Sequence, residues 1–191
     1  VFGRAFADGL AQLARGAPKV LWMQGQSCSG CSVSLLNADY PFAFEVLTDL
    51  ISLVFHHTVS AAQGDVAMKL IEQVGVGKDY ILVVEGSIPA GMPDACVMGG
   101  QRFTDMLPPL IKGATFVVGA GSCATYGGIP AAEGNPTGAI SLKEFMDRHS
   151  LPTDRFLVNC PSCPMHPDAI VGMIAYLVGK GYPPGGGDTK P

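Results

Sequence analysis

Charged residues are scarce in this sequence: Asp, Glu, Lys and Arg make up 15% of its 191 residues, and the formal net charge is −4. No basic patch is present, which excludes nucleic acid as an expected partner. No apolar run reaches the length of about 18 residues that a membrane-spanning helix needs. The scarcity of charge, beside 48% hydrophobic residues, fits either a well-buried α/β core or a large permanent interface with a partner protein.

The cysteine content excludes a further class of protein. Six cysteines occur, at positions 28, 31, 96, 123, 160 and 163. A disulfide framework is typical of small secreted domains with weak cores, whereas 191 residues suffice for one domain with a sizeable core. Metal binding is therefore the favoured use of these thiols. The chain begins with Val1 and not with Met, which we interpret as a processed or trimmed product.

Apolar runs alternate with helix-like segments along the chain. Strands are predicted at residues 19–23, 52–56, 80–84, 115–118 and 155–158. Helices are predicted at residues 31–37, 43–50, 61–74, 101–107, 141–148 and 167–180, with a weakly amphipathic segment at 6–14. This rhythm predicts an α/β fold, a flavodoxin-like doubly wound parallel sheet of about five strands in the order 2-1-3-4-5. We expect residues 1–182 to form this domain and the Gly/Pro-rich residues 183–191 to be a tail or a domain boundary.

The cysteine-bearing loops follow predicted strands, and this placement predicts a site. Cys28 and Cys31 follow the first strand, Cys123 the fourth, and Cys160 and Cys163 the fifth. Because the carboxyl ends of parallel strands share one edge of a sheet, these loops should converge there. The Cys-x-x-Cys pair alone is typical of a redox dithiol or of half a zinc site. The thiols at two other strand ends argue against a dithiol, while zinc and an iron–sulfur cluster both remain open. Spacing does not choose between the two candidate thiols after the fifth strand.

Other side chains have structural interpretations beside functional ones. Cys96 lies away from this edge and is interpreted as a structural thiol. His56 and His57 end the second strand, where a metal role competes with the commoner structural one. Glu85 ends the middle strand, as either a solvated loop carboxylate or a buried contact to a partner, and His166 is predicted to hold the last cysteine turn. No nucleophile–base pair, P-loop or dinucleotide fingerprint occurs, so we predict no catalytic residue in this chain.

Several stretches of the sequence together resemble the small subunit of nickel–iron hydrogenases. They are residues 21–32 (LWMQGQSCSGCS), 83–89 (VVEGSIP), 121–138, and 163–168 (CPMHPD, where the family has Cys-Pro-Pro-His-Pro). The resemblance covers nearly the whole chain. It implies a 4Fe–4S cluster as cofactor, the proximal cluster of that family, bound by Cys28, Cys31, Cys123 and Cys163. It selects Cys163 over Cys160 because Cys163 precedes the Pro-x-His-Pro element.

The resemblance also implies a function. The chain would be the electron-transfer subunit of a heterodimer whose large subunit holds the nickel–iron site of H2 oxidation or evolution. Electrons would pass through the cluster to or from a protein such as a cytochrome or ferredoxin. Relatives of this type are often exported, which implies a periplasmic or membrane-associated location, and the sequence leaves a cytoplasmic one open. A second hypothesis is a cluster-bearing subunit of a complex I-like electron-transfer complex without hydrogenase activity, and a third is a zinc-stabilised binding module.

The sequence departs from this family at several positions. Many members have Glu where this chain has Val33, so we assign no proton-handling acid there. Oxygen-tolerant relatives carry additional cysteines at the positions of Gly30 and Gly128, and the glycines imply an ordinary cubane. Cys160 is an additional thiol. Residues 183–191 stand where typical members continue into a domain with two further clusters, so we also interpret this tail as the start of such a domain.

Overall fold

The computed structural model describes residues 17–77, 79–153 and 157–180. At the centre lies a five-stranded sheet in which all neighbouring strands run parallel. The strands are β1 (Lys19–Gln24), β2 (Ser52–His56), β3 (Tyr80–Glu85), β4 (Phe116–Ala120) and β5 (Leu157–Cys160). Their order in the sheet is β2-β1-β3-β4-β5. The predicted α/β, flavodoxin-like order 2-1-3-4-5 is therefore confirmed.

Helices cover both faces of this sheet. They are α1 (Gly30–Leu35), α2 (Ala43–Glu45, continuing as a π-helical turn over Val46–Leu50), α3 (Gly64–Gly77), α4 (Phe103–Gly113), α5 (Gly121–Tyr126), α6 (Leu142–Arg148) and α7 (Pro167–Lys180). Two short antiparallel ladders flank the sheet, Ile88–Pro89 with Ala139–Ile140 and Val97–Met98 with Gln101–Arg102. Among residues 17–77, 79–153 and 157–180, no helix combines the length and hydrophobicity that crossing a bilayer requires.

The core consists of one apolar layer on each face of the sheet. Leu21 and Met23 of β1 belong to the layer that includes residues of α3, α4 and α6. Val20 and Trp22 belong to the layer that includes residues of α1, α2 and α7. Successive side chains of a strand point to opposite faces, so the continuous apolar run of β1 supplies both layers at once. Both faces are buried, and functional loops are left to the strand ends.

The prediction for α4 was wrong at both ends. A helix was expected over residues 101–107, but α4 begins at Phe103 and continues through Pro108 and Pro109 to Gly113. Each proline lacks the N–H that would bond to the preceding turn. Leu107 and Leu110 are nevertheless buried in the core, and this packing holds the helix together where local propensity does not.

The segment after β4, for which no helix or strand was predicted, also contains structure that the sequence analysis missed. Gly121 to Tyr126 form the short helix α5, and Ile129–Ala131 form a 3-10 turn. Ser141 caps α6, because the Glu144 N–H donates to Ser141 Oγ at 3.1 Å. The amphipathic segment predicted at 6–14, the first part of the strand predicted at 155–158 and the tail at 183–191 lie outside the described residues.

Candidate metal centre

The first cysteine loop connects β1 to α1. Ser29 has φ 62°, in the left-handed region, and its carbonyl accepts a hydrogen bond from the Val33 N–H at 2.9 Å. This turn starts α1, places Cys31 in its first turn and leaves Cys31 buried, while Cys28 remains exposed. A Cβ added at Gly30 would stand 3.1 Å from Cys28 Sγ, so the backbone approaches this sulfur closely.

The second cysteine-bearing segment is α5, directly after β4, and it carries Cys123. Gly121 has φ 83°, and a Cβ added there would stand 2.5 Å from Cys31 Sγ. Gly128 has φ 58°, and a Cβ added there would stand 2.6 Å from Cys123 Sγ. Both positions favour glycine for conformation and also for space. The glycines around Cys123 therefore do more than form a turn. They let the backbone of this loop approach the cysteine sulfurs closely.

The third cysteine loop follows β5 and is tied to the second. The Ser122 N–H donates to the Ser162 carbonyl at 2.9 Å, and the Ser162 N–H donates to Ser122 Oγ at 3.2 Å. Cys163 is exposed at this turn. Cys160 instead lies within β5, in register with Ala120, and packs against the core layer below α1 and α7. Burial raises the pKa of Cys160 to about 11.

A single cavity of about 70 Å³ joins these loops at the carboxyl edge of the sheet. Its lining includes four cysteines, namely Cys28, Cys31, Cys123 and Cys163, together with Glu85. Cys160 and Cys96 are not among its lining residues. Cys96 packs against the other core layer, where burial raises the pKa of its thiol. The structure therefore brings together the four cysteines of the predicted ligand set and keeps the two others apart.

The arrangement of the four thiols bears on the choice between zinc and an iron–sulfur cluster, which the sequence left open. In the described part of the chain, no three His, Cys, Asp or Glu side chains lie close enough together to hold a single metal ion. A tetrahedral zinc site requires four ligands within about 2.0–2.3 Å of one ion. Four thiols lining one cavity, with glycine backbone against three of them, instead fit a cluster of several irons.

The protonation of these thiols depends on what they bind. Burial, with a further contribution from the charge of Glu85, raises the pKa of Cys31 to about 11. Burial also raises the pKa of Cys123. Metal ligands must be thiolates, so occupancy of this site releases protons and requires a cationic group to stabilise the sulfurs.

Glu85 is a cavity-lining residue whose environment the sequence analysis missed. Neither expected setting is observed, because the side chain is 2% exposed and is bonded entirely within this chain's described residues. Burial alone would raise the pKa of Glu85, but hydrogen bonds from Ser32, Trp22, Gln24 and Ser27 lower it below the ordinary value. A signal was present in the sequence, since a carboxylate ending an apolar central strand beside a tryptophan-bearing strand needs internal donors.

The histidines have structural partners. His56 Nε2 lies 2.8 Å from Ser32 Oγ, and His56 Nδ1 accepts the Thr58 N–H at 3.0 Å. His57 Nδ1 accepts the Gln24 N–H at 3.3 Å. His166 was expected to hold the Cys163 turn, but its side chain is 72% exposed and its Nδ1 accepts the backbone N–H of the second residue of α7. None of them lines the cavity between the four thiols.

Comparison with known proteins places the chain in a family. The family model described as NADH ubiquinone oxidoreductase, 20 Kd subunit, matches residues 28–177. The small subunit of the periplasmic [NiFeSe] hydrogenase of Desulfomicrobium baculatum is 37% identical over 187 residues, which are 91% of this chain and 58% of that protein. The Hydrogenase-2 small chain of Escherichia coli K12 is 34% identical over 177 residues, 87% of this chain and 44% of that protein.

Solved structures agree with this assignment. A reduced [NiFeSe] hydrogenase from Desulfomicrobium baculatum superposes with a TM-score of 0.79 at 40% identity, over 82% of this chain and 60% of that one. The actinobacterial-type [NiFe] hydrogenase of Ralstonia eutropha H16 gives 0.75 at 31% identity, over 87% and 55%. The chain thus spans about half the length of the curated relatives it matches. It belongs to the family of the NADH ubiquinone oxidoreductase 20 Kd subunit and is a homologue of the small subunits of nickel–iron hydrogenases.

Proposed function

We propose that this chain is the electron-transfer small subunit of a nickel–iron hydrogenase. In this role it relays electrons between a nickel–iron site on a partner large subunit and an acceptor or donor protein, such as a cytochrome or ferredoxin. The cofactor is one 4Fe–4S cluster, and its ligands are Cys28, Cys31, Cys123 and Cys163. The observation that carries the proposal is the meeting of these four cysteines, from three separate strand ends, around one cavity.

The residues of the chain have distinct parts in this function. The cluster supplies one-electron oxidation and reduction when it is bound. Cys31, which is buried, and Cys123, which is half-buried, hold it from the first turns of α1 and α5, where backbone N–H groups favour negative charge. Cys28 and Cys163 are exposed and face the direction from which partner proteins approach. Electron transfer needs such a short path to the surface on the side of each partner.

An exposed apolar stretch supports the proposal that a partner subunit docks on this chain. Residues 33–44 run from α1 into α2, directly after the first cysteine loop. They contain exposed large apolar side chains at Val33, Leu36, Phe42 and Phe44, with exposed fractions of 56%, 54%, 59% and 74%. Contiguous exposed apolar residues of this kind mark protein interfaces. This stretch fits a permanent partner docked beside the cluster, which also agrees with the low content of charged residues.

A second function is a cluster-bearing subunit of a complex I-like electron-transfer complex. The description of the matched family favours it, since that family is named after a subunit of NADH ubiquinone oxidoreductase. The individual relatives favour hydrogenase, because those at 34% to 37% identity over most of this chain are hydrogenase small subunits. We therefore place hydrogenase first.

The experiment that tests the proposal is purification of the assembled protein under anaerobic conditions, followed by metal analysis. Four irons and four sulfides per chain are the composition of one 4Fe–4S cluster, with an EPR signal after reduction. Nickel in a co-purified partner and hydrogen-dependent reduction of a dye support hydrogenase. A partner without nickel transfers the assignment to the second function. One zinc and no iron per chain contradicts both.

A further inference from the structure

The buried carboxylate of Glu85 lies between the sheet and the first cysteine loop. It ends β3 and lines the cavity with the four cysteines. Its Oε1 accepts hydrogen bonds from Ser27 Oγ at 3.0 Å, from the Cys31 N–H at 3.1 Å and from the Ser32 N–H at 3.4 Å. Its Oε2 accepts from Trp22 Nε1 at 2.9 Å, from Gln24 Nε2 at 3.2 Å and from Ser32 Oγ. This carboxylate is thus the acceptor for six donors.

These donors leave no place for a proton on the carboxylate. Indole, amide and backbone N–H groups can only donate. Two of the donors are hydroxyls, which can also accept. Ser27 Oγ accepts the Ser29 N–H at 2.9 Å, so its own hydrogen is free to point at Glu85, and Ser32 Oγ also contacts His56. Since His56 Nδ1 accepts the Thr58 N–H, its Nε2 carries the hydrogen and donates to Ser32 Oγ, whose own hydrogen is then directed at Glu85. The side chain is therefore an ionised carboxylate by geometry.

Among the described residues, no cation neutralises this charge. In the parts of the chain that the structure describes, no salt bridge reaches Glu85, and its partners are all formally neutral. Glu85 is only 2% exposed, so water screens its charge weakly. The Cys31 and Ser32 N–H groups that donate to Glu85 belong to the first turn of α1. No earlier helical turn offers a carbonyl to accept their hydrogen bonds.

We propose that Glu85 is a positioning residue for the cluster: its ionised carboxylate fixes the first turn of α1, which carries Cys31, and its uncompensated negative charge lowers the reduction potential of the cluster. The positioning half concerns this chain by itself, and the potential half rests on the proposed function. Reduction adds negative charge to a cluster, so a neighbouring anion disfavours the reduced state. Glu85 ends β3, so it couples the central sheet to the position of one ligand turn and to the reduction potential of the cluster.

The positioning half is tested on the purified, assembled protein by amide hydrogen exchange. Glu85→Gln keeps the size and removes the charge, and it turns an amide NH2 toward groups that themselves donate. We expect the Cys31 and Ser32 amides to exchange about tenfold faster. A hydrogen bond to a charged group is roughly twice as strong as a neutral one, and losing that difference changes an opening equilibrium by about a factor of ten. Glu144→Gln is the matched control, since Glu144 is an exposed carboxylate on α6, and it should leave these amides unchanged. Unchanged exchange in Glu85→Gln overturns the positioning role.

The potential half is tested on the assembled, cluster-loaded protein by EPR-monitored redox titration. Glu85→Gln should shift the potential in the positive direction, whereas Glu85→Asp, which retains the charge, should stay near the parent value. A potential in Glu85→Gln equal to that of Glu144→Gln overturns the charge effect. If Glu85→Gln retains no cluster, Glu85→Asp decides: cluster retention at the parent potential supports the proposal, and a potential shifted positive contradicts it. A parent protein without iron instead refutes the proposed function and leaves the exchange experiment to judge the positioning role.

Discussion

Substitution of Gly121 by Ala separates crowding of the cluster site from ordinary backbone strain. Gly121 has φ 83°, and the added Cβ would stand 2.5 Å from Cys31 Sγ and 3.4 Å from the Ser162 carbonyl oxygen. The left-handed conformation costs an L-residue about 1–2 kcal/mol. Displacing a packed neighbour costs about 1–3 kcal/mol more. We therefore expect Gly121→Ala to lower the free energy of unfolding by about 2–5 kcal/mol and to displace the Cys31 sulfur.

Gly134 provides the matched control. Its φ of 93° imposes similar strain, but an added Cβ would meet nothing within 4 Å. Gly134→Ala should therefore cost only the backbone part, about 1–2 kcal/mol. The assay is urea unfolding of the cluster-free chains, together with iron per chain after reconstitution. The Gly134→Ala protein should retain iron, and the Gly121→Ala protein should lose most of it. Equal unfolding free energies and equal iron contents for the two variants would refute the close-approach argument.

Three other changes have defined outcomes. Cys163→Ser should remove most of the iron, whereas Cys160→Ser should retain it; the reverse result in the iron assay would overturn the ligand choice. Phe44→Ser should weaken co-purification of the large subunit about tenfold or more, while Val76→Ser, a change at a similarly exposed residue on α3, should not. Burial raises the pKa of Tyr80 to about 12 from 10.0. The contribution of its neutral hydroxyl to the free energy of unfolding is therefore complete below pH 10 and is lost as pH rises through 12. Urea unfolding should show a loss of about 2–3 kcal/mol over that interval, and Tyr80→Phe should abolish the part due to this group.

The sheet was predictable because its strands are nearly continuous apolar runs. A run buried on both faces requires helices above and below, and the alternation of strand and helix then determines a parallel order. The convergence of the cysteine loops followed from the same rule, since parallel strands end at one edge. Residues 52–56 were assigned to β2 with both bounds correct.

The details that the sequence did not reveal depend on tertiary contacts. Propensity alone would stop α4 at Pro108, and only the burial of Leu107 and Leu110 explains its continuation. The helix that carries Cys123 spans six residues, too short for periodicity to be visible. The network around Glu85 joins β1, α1 and β3, and the interacting pairs are up to 63 residues apart in sequence. No local pattern encodes such a network.

Trp22 is the sole tryptophan of the chain, and its indole N–H donates to Glu85. All tryptophan emission from this chain therefore comes from a side chain that touches the carboxylate beside the proposed cluster. Iron–sulfur clusters absorb in the range of that emission, and insertion of one next to the indole should quench it. Loading and loss of the cluster could then be followed in real time by intrinsic fluorescence, with no label and no substitution in the protein.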